Sequence, residues 1–200
     1  MARDLVGNST NRLNAGDVSF LDNSTALSVG LYFKPDASVN GRIFHKWGSA
    51  TANERSFIVE QTDLNEIQFA VGGGAVAPNG LNIKKTGAAN LSTGVWHAVM
   101  CTYRASTLLN IYVDNSSFAL TVVSNDTVTS ILASTSKCEI GYESDEGSSS
   151  VDGKVAELAL WTAELSRDEI GAYSRGFRPP RIRAQSLVAY IPLYGVASPE

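Results

Sequence analysis

Val151-Asp152-Gly153-Lys154-Val155-Ala156-Glu157-Leu158-Ala159-Leu160-Trp161, running straight into Thr162-Ala163-Glu164-Leu165-Ser166-Arg167-Asp168-Glu169-Ile170, decides how this chain folds. A glycine turn opens it, and a strand follows with apolar residues at alternating positions, Val155, Ala159 and Trp161 among them. One short helix then begins. Ser166 as N-cap with Glu169 three residues on makes a capping box, and Asp168 adds favourable charge to the first turn. Ile170 and Tyr173 lie three apart and can pack on the edge of a sheet. Gly176 suits the C-terminal cap, and Pro179-Pro180 keeps the helix from resuming.

The rest of the chain reads as short strands broken by Gly, Asn, Asp and Ser. Leu27, Val29, Leu31 and Phe33 alternate until Lys34-Pro35-Asp36 closes the run. Arg42 to Trp47, Ser56 to Glu60 and Glu66 to Val71 follow, and Gly72-Gly73-Gly74 interrupts pairing. Leu81-Asn82-Ile83 leads into Lys84-Lys85-Thr86-Gly87, read as a solvated loop. Val95 to Tyr103 and Leu108 to Val113 form the clearest hairpin, and Asp114-Asn115 starts a second turn toward Phe118 to Val123. Leu187 to Leu193 is a last strand whose Pro192 favours an edge or a strand end. The expected fold is all-β, an antiparallel β-sandwich with one short C-terminal helix and one buried face per sheet.

At 200 residues and 44% hydrophobic content, one domain over 1–200 can bury one sizeable core, expected over about 15–194. A net charge of −4 argues against nucleic acid as a partner. No apolar run approaches the ~20 residues of a membrane span, so no membrane partner is expected. Met1-Ala2-Arg3-Asp4 lacks the apolar core of a signal peptide, so export by that route is not expected. Cys101 and Cys138 sit in apolar alternations and read as two free, buried thiols.

Several segments, in order, resemble laminin-G-like modules of the concanavalin A-like lectin/glucanase jelly-roll superfamily. They are Ala26 to Asp36, Arg42-Ile43-Phe44-His45-Lys46-Trp47-Gly48, Gly94-Val95-Trp96-His97-Ala98-Val99 with Thr102-Tyr103 and Ile111-Tyr112-Val113-Asp114, Glu139-Ile140-Gly141, and Asp152 to Trp161 with the helix after it. Ala98 stands where a second histidine is frequent, and Ala156 where an aspartate often precedes Glu157. Phe177 to Arg183 and Ser186 to Leu193 are similar to laminin-G-like segments in structural proteins of tailed bacteriophages. The resemblance implies a jelly roll and a virion surface protein, a head decoration or fibre component made in the host cytoplasm. Other virion structural proteins, glycans and further copies of the chain are the partners it implies. A calcium-assisted carbohydrate-binding lectin module is the rival, and a glycoside hydrolase the third.

Candidate sites follow from chemistry. Glucanases on this fold place acid and nucleophile on one strand face as glutamate–x–aspartate–x–glutamate. Glu143, Asp145 and Glu146 lack that spacing and read as a solvated acidic turn, so no catalytic residue and no enzyme are expected. His97 reads as a structural histidine. Calcium needs several convergent oxygens; Asp145, Glu146 and Asp152 are the candidate set, set against acids simply kept apart in water. Asp22 and Asp126 are further acidic positions. Trp47, Tyr112 and Tyr142, with His45, are candidates for sugar binding if exposed, whereas Trp96 and Trp161 read as core. Arg175, Arg178, Arg181 and Arg183 form the one local charge excess, either solvated or docked on an acidic neighbour. Asn8, Asn23, Asn90, Asn115 and Asn125 match the N-glycosylation acceptor pattern but read as turn residues.

Overall fold

The computed structural model describes residues 3–5, 13–48, 54–73, 81–85, 91–107, 109–125, 127–142 and 150–193. Two sheets of seven strands each form the frame. The first joins β1 (Arg3–Leu5), β13 (Gly153–Trp161), β3 (Ala26–Pro35), β8 (His97–Arg104), β9 (Asn110–Val113) and β10 (Ser116–Ser117) in that order. Strand β14 (Leu187–Ile191) also pairs with β13. The second runs β11 (Thr121–Asn125), β7 (Leu81–Lys85), β6 (Ile67–Gly72), β5 (Arg55–Gln61), β4 (Gly41–Trp47), β12 (Cys138–Ile140) and β2 (Leu13–Asn14). The pairing is antiparallel throughout these ladders, the sandwich class that the alternation predicts.

The core lies between the sheets. Leu27, Val29, Leu31 and Phe33 of β3 point into it, as do Val99, Cys101 and Tyr103 of β8. From the other sheet come Phe44, Phe57, Val59, Ile67, Phe69 and Val71, with Phe44 and Phe57 meeting edge to face at 5.2 Å. Burying each such side chain is worth about 1.5–3 kcal/mol, so the two inner faces alone drive the layers together. Cys101 and Cys138 are free and buried, as expected. Burial pushes both thiols up, that of Cys138 to about 12.

Strand β13 departs from the simple alternation. Its ladder with β3 shifts between Ala156 and Ala159, and Glu157 there takes φ +52°, a region non-glycine residues rarely visit. The bulge reverses the facing. Val155, Leu158 and Leu160 enter the main core, whereas Ala159 and Trp161 point out the other side. Three bonds hold the bulge: Glu157 N–H donates to the Pro192 carbonyl at 3.2 Å, Tyr173 Oη to the Glu157 carbonyl at 2.9 Å, and Tyr190 Oη to its carboxylate at 2.6 Å.

On that outer face lies α1 (Arg167–Ser174), capped as predicted, with both bonds of the Ser166–Glu169 box present. Ile170 and Tyr173 pack on Met100, Ala159 and Trp161, so the helix covers the face of the sheet instead of its edge. Gly30 permits the approach: a Cβ there would stand 2.8 Å from Met100 Cε, 3.1 Å from Tyr173 Cζ and 3.2 Å from Trp161 Cζ3. Two of the predicted turn asparagines, Asn23 (φ 59°) and Asn115 (φ 63°), occupy the left-handed region that asparagine tolerates. Asn125 ends β11, and Asn8 and Asn90 lie outside the described residues. Lys84 and Lys85, expected in a loop, are in β7, paired with β6 and β11. No helix among the described residues is long and apolar enough to cross a membrane.

Candidate functional site

Three places carry the chemistry, and the first is the outer face of the second sheet. Trp47 ends β4 and packs on Ile58 and Ala70. The Arg55 guanidinium stands 5.7 Å from its ring centre. His45, two residues earlier, donates from Nε2 to the Tyr142 carbonyl at 3.1 Å, and Glu139 Oε2 lies 4.0 Å from the same nitrogen. Asn14 Nδ2 donates to Glu139 Oε1 at 3.1 Å. The expectation of exposure fails here: Trp47 and Tyr142 keep only 8% of their surface each, because this network and the small apolar cluster close over them. Tyr112, the third aromatic candidate, is on β9 of the other sheet, with the Arg167 guanidinium 4.9 Å from its ring centre. The three do not converge on one site.

The second place is the rim where β8 begins. Trp96, read from sequence as core, is 40% exposed. Val99, Cys101 and Tyr103 point inward along β8, so parity puts Trp96 on the outward face with Ala98 and Met100. Those two are buried, Met100 beneath α1, whereas Trp96 precedes the strand and is left uncovered. The parity signal was present in the sequence and outweighed by the apolar neighbours. The footing of Trp96 is firm. Ser92 N–H donates to His97 Nε2 at 2.9 Å, which leaves the ring proton on Nδ1 to bond Asp114 Oδ2 at 2.7 Å. Asp114 Oδ1 also takes the Ala98 N–H at 2.8 Å. Asp114 (φ 51°) and Asn115 form the tight turn between β9 and β10, so the bracing carboxylate is itself fixed. With both nitrogens engaged in this bracing, His97 serves structure.

Nearby acids are likewise committed to cations. Lys154 bridges Asp4 and Asp36, each at 3.2 Å, and these hydrogen bonds raise its pKa. Lys46, fully buried, takes Asp17 at 2.9 Å, Asp22 at 3.0 Å and the Val18 carbonyl at 2.8 Å. These carboxylate pairs each straddle a lysine, which suits ion pairing and not an acid/base couple. Of the calcium set only Asp152 is described, its carbonyl accepting from Asp36 N–H at 3.0 Å. Asp145 and Glu146 lie outside the described residues, with Glu143 and Asp126. Among the described residues no cluster of three metal-ligating side chains occurs.

The third place follows α1, where the structure divides the four arginines. Arg183 (φ 42°) turns back onto the helix. Its Nε and Nη2 reach Glu169 Oε1 and Oε2 at 2.8 and 2.6 Å, and Nη1 reaches the Glu164 carbonyl at 2.9 Å. Burial alone would push the Glu169 carboxyl up, but Arg183 and Ser166 together hold it below the ordinary glutamate value. Arg175, Arg178 and Arg181 remain exposed and line a cleft of about 420 Å³ with Gly176 and Phe177.

Comparison with known proteins agrees with this architecture. A search of curated proteins finds no match. Among solved structures, the heptameric SAP-like pentraxin of Limulus polyphemus superposes with TM-score 0.64 at 17% identity, over 88% of this chain and 83% of that one. A putative carbohydrate-binding protein of Bacteroides ovatus gives 0.61 at 18% identity; all of this chain spans 54% of it. The ligand-binding domain of botulinum neurotoxin serotype D, in complex with N-acetylneuraminic acid, gives 0.63 at 11% identity, over 86% of this chain and 41% of that one. At these identities the likeness is one of fold. The Laminin_G_3 family model, described as Concanavalin A-like lectin/glucanases superfamily, matches residues 7–171, and the chain belongs to that family.

Proposed function

We propose that the chain is a non-catalytic, glycan-binding module of lectin type, and that it works on the surface of a bacteriophage particle. The exposed indole of Trp96, next to a braced stretch of backbone, carries the first part. An aromatic side chain offers a sugar ring an apolar face, and a fixed backbone beneath it lowers the ordering cost of binding. Ser92 and Thr93, exposed in the turn before it, and the half-exposed carboxylate of Asp114 supply polar groups at its margin. Two structures of similar fold support the reading, the putative carbohydrate-binding protein of Bacteroides ovatus and the neurotoxin domain complexed with N-acetylneuraminic acid. The test is a glycan array with and without added calcium. The wild type binds at least one glycan, and Trp96→Ala weakens that binding tenfold or more at unchanged melting temperature. A flat array under both conditions overturns the proposal, and a signal abolished by a chelator assigns calcium a part in it.

The virion setting rests on the likeness of Phe177 to Arg183 and Ser186 to Leu193 to segments of tailed-phage structural proteins. Those residues form the turns and the strand β14 that follow α1. Mass spectrometry of purified particles finds the chain if the setting is right; its absence from them removes this part and leaves the first standing.

A further inference from the structure

We propose that the cleft lined by Arg175, Arg178 and Arg181 is an oxyanion site for an acidic saccharide, one bearing a carboxylate or a sulfate. Its lining residues are other than those of the Trp96 rim, and the saccharide identity of its ligand rests on the glycan-binding reading above. Three observations lead there. The first is uncompensated charge. From residue 170 to residue 199 the sequence contains four arginines and no Asp or Glu. Arg183 is neutralised by Glu169, but none of the other three pairs with a carboxylate among the described residues. Three residues with permanent cations therefore border one hollow, in a chain whose net charge is −4.

The second observation is rigidity. Gly176, at φ +88°, ends α1 with paired bonds, Phe177 N–H to the Ala172 carbonyl at 3.2 Å and Gly176 N–H to the Tyr173 carbonyl at 2.9 Å. Tyr32 Oη also donates to the Tyr173 carbonyl, at 2.7 Å. The Ala172 and Tyr173 carbonyls, which would repel an anion at this helix end, are thus taken up. Pro179-Pro180-Arg181 then forms a tight turn, closed by Arg181 N–H to the Arg178 carbonyl and Ile182 N–H to the Pro179 carbonyl, both at 2.9 Å. Trp161 Nε1 anchors the far side, donating to the Ile182 carbonyl at 2.8 Å. The backbone beneath the guanidinium groups is preorganised.

The third is shape. A hollow of about 420 Å³ falls within the range of about 300–1,000 Å³ usual for small-ligand sites. Guanidinium groups grip carboxylate or sulfate oxygens with paired, planar N–H donors. Phe177, 53% exposed beside them, gives the apolar face of a sugar ring somewhere to rest. A hollow of this size suits a charged sugar better than the broad contact an acidic protein surface would need.

The 200-residue chain is tested on immobilised chondroitin sulfate, polygalacturonate, neutral dextran and poly-glutamate by biolayer interferometry at low and physiological salt. The wild type binds chondroitin sulfate or polygalacturonate at least tenfold more tightly than dextran. Preference for polygalacturonate, which carries carboxylates alone, marks a carboxylate site, and preference for chondroitin sulfate, which carries both groups, marks a contribution from sulfate. R175Q/R178Q/R181Q abolishes that preference while leaving intact any array glycan recognised through Trp96. R175K/R178K/R181K keeps the charge but loses the fork, and retains under a third of the affinity. Arg104→Gln removes an exposed arginine elsewhere and leaves the preference unchanged. Unaltered binding by the triple glutamine variant, or an equal loss with Arg104→Gln, overturns the proposal. So does a wild type that prefers poly-glutamate to both acidic polysaccharides, which would mark a protein-docking surface. A silent array with a positive acidic-polymer arm overturns the Trp96 reading and leaves the cleft standing.

Discussion

The two outer faces of this sandwich are closed by opposite means. On the first sheet, small residues, Gly30 and Ala159, leave room for α1 to lie flat, and large ones, Met100, Trp161 and Tyr173, fill the join. On the second sheet no helix of this chain is seated among the described residues. Arg42, His45, Glu139 and Tyr142 instead form a polar mesh around the three-residue cluster of Trp47, Ile58 and Ala70. One face is held by shape and the other by hydrogen bonds. The difference shows that a family-like strand pattern fixes the inner faces, while each outer face is solved by whichever residues point outward.

Truncation tests this contrast most directly. Trp161→Ala empties the larger cluster and orphans the Ile182 carbonyl, with an expected loss of about 5 kcal/mol in urea denaturation. Trp47→Ala, in the smaller cluster, is expected to cost about 3 kcal/mol. If the two losses prove equal, the distinction between the faces falls. Gly30→Ala crowds Met100, Tyr173 and Trp161 at once and is expected to cost about 1–2 kcal/mol by the same measurement. A neutral result would mean the helix rides on a looser contact than these distances describe.

Ser166→Ala removes one bond of the capping box and is expected to cost about 1 kcal/mol, seen as a lower denaturation midpoint at unchanged slope. The smallest effect belongs to Arg183→Gln. Glu169 has a folded-state pKa below its unfolded one, so its contribution is complete above the ordinary glutamate value of 4.5. It is lost as pH falls through the folded value. Without Arg183 this loss below about pH 4.5 shrinks, and melting curves from pH 6 to 3 run flatter than those of the wild type. The pair is partly solvated, so its effect at neutral pH is small.

Much of this was legible in the residues themselves. The alternation of Leu27 to Phe33 and the Ser166–Glu169 box translate into β3 and α1 with little outside help, because each is a local rule acting over a few positions. The bulge at Glu157 was not legible. A period of two predicts facing only while the ladder is unbroken, and the break is held by Tyr173, Tyr190 and Pro192, all distant in sequence. For the same reason alternation put Val155 and Trp161 on one face when they lie on two. The outward facing of Trp96 was readable from parity along β8, and burial of Trp47 was not, since it depends on Ile58 and Ala70 across two ladders. The arginines looked like one set; only the fold shows that Arg183 belongs to Glu169.

Strand β13 also holds the two extremes of the described chain end to end. On one edge of that strand, β14 pairs alongside Trp161 to Leu158 and β1 alongside Val155 to Gly153. Both run the same way, so Ile191 faces Leu158 and Arg3 faces Val155, only about 10 Å further along at the usual strand rise. A short peptide bridge there would splice them into a single seam, and new openings could then be cut at an exposed turn such as Asp63–Leu64. Circular permutants made this way should keep the sandwich intact, and either displayed loop system could be turned outward from a chosen anchoring point.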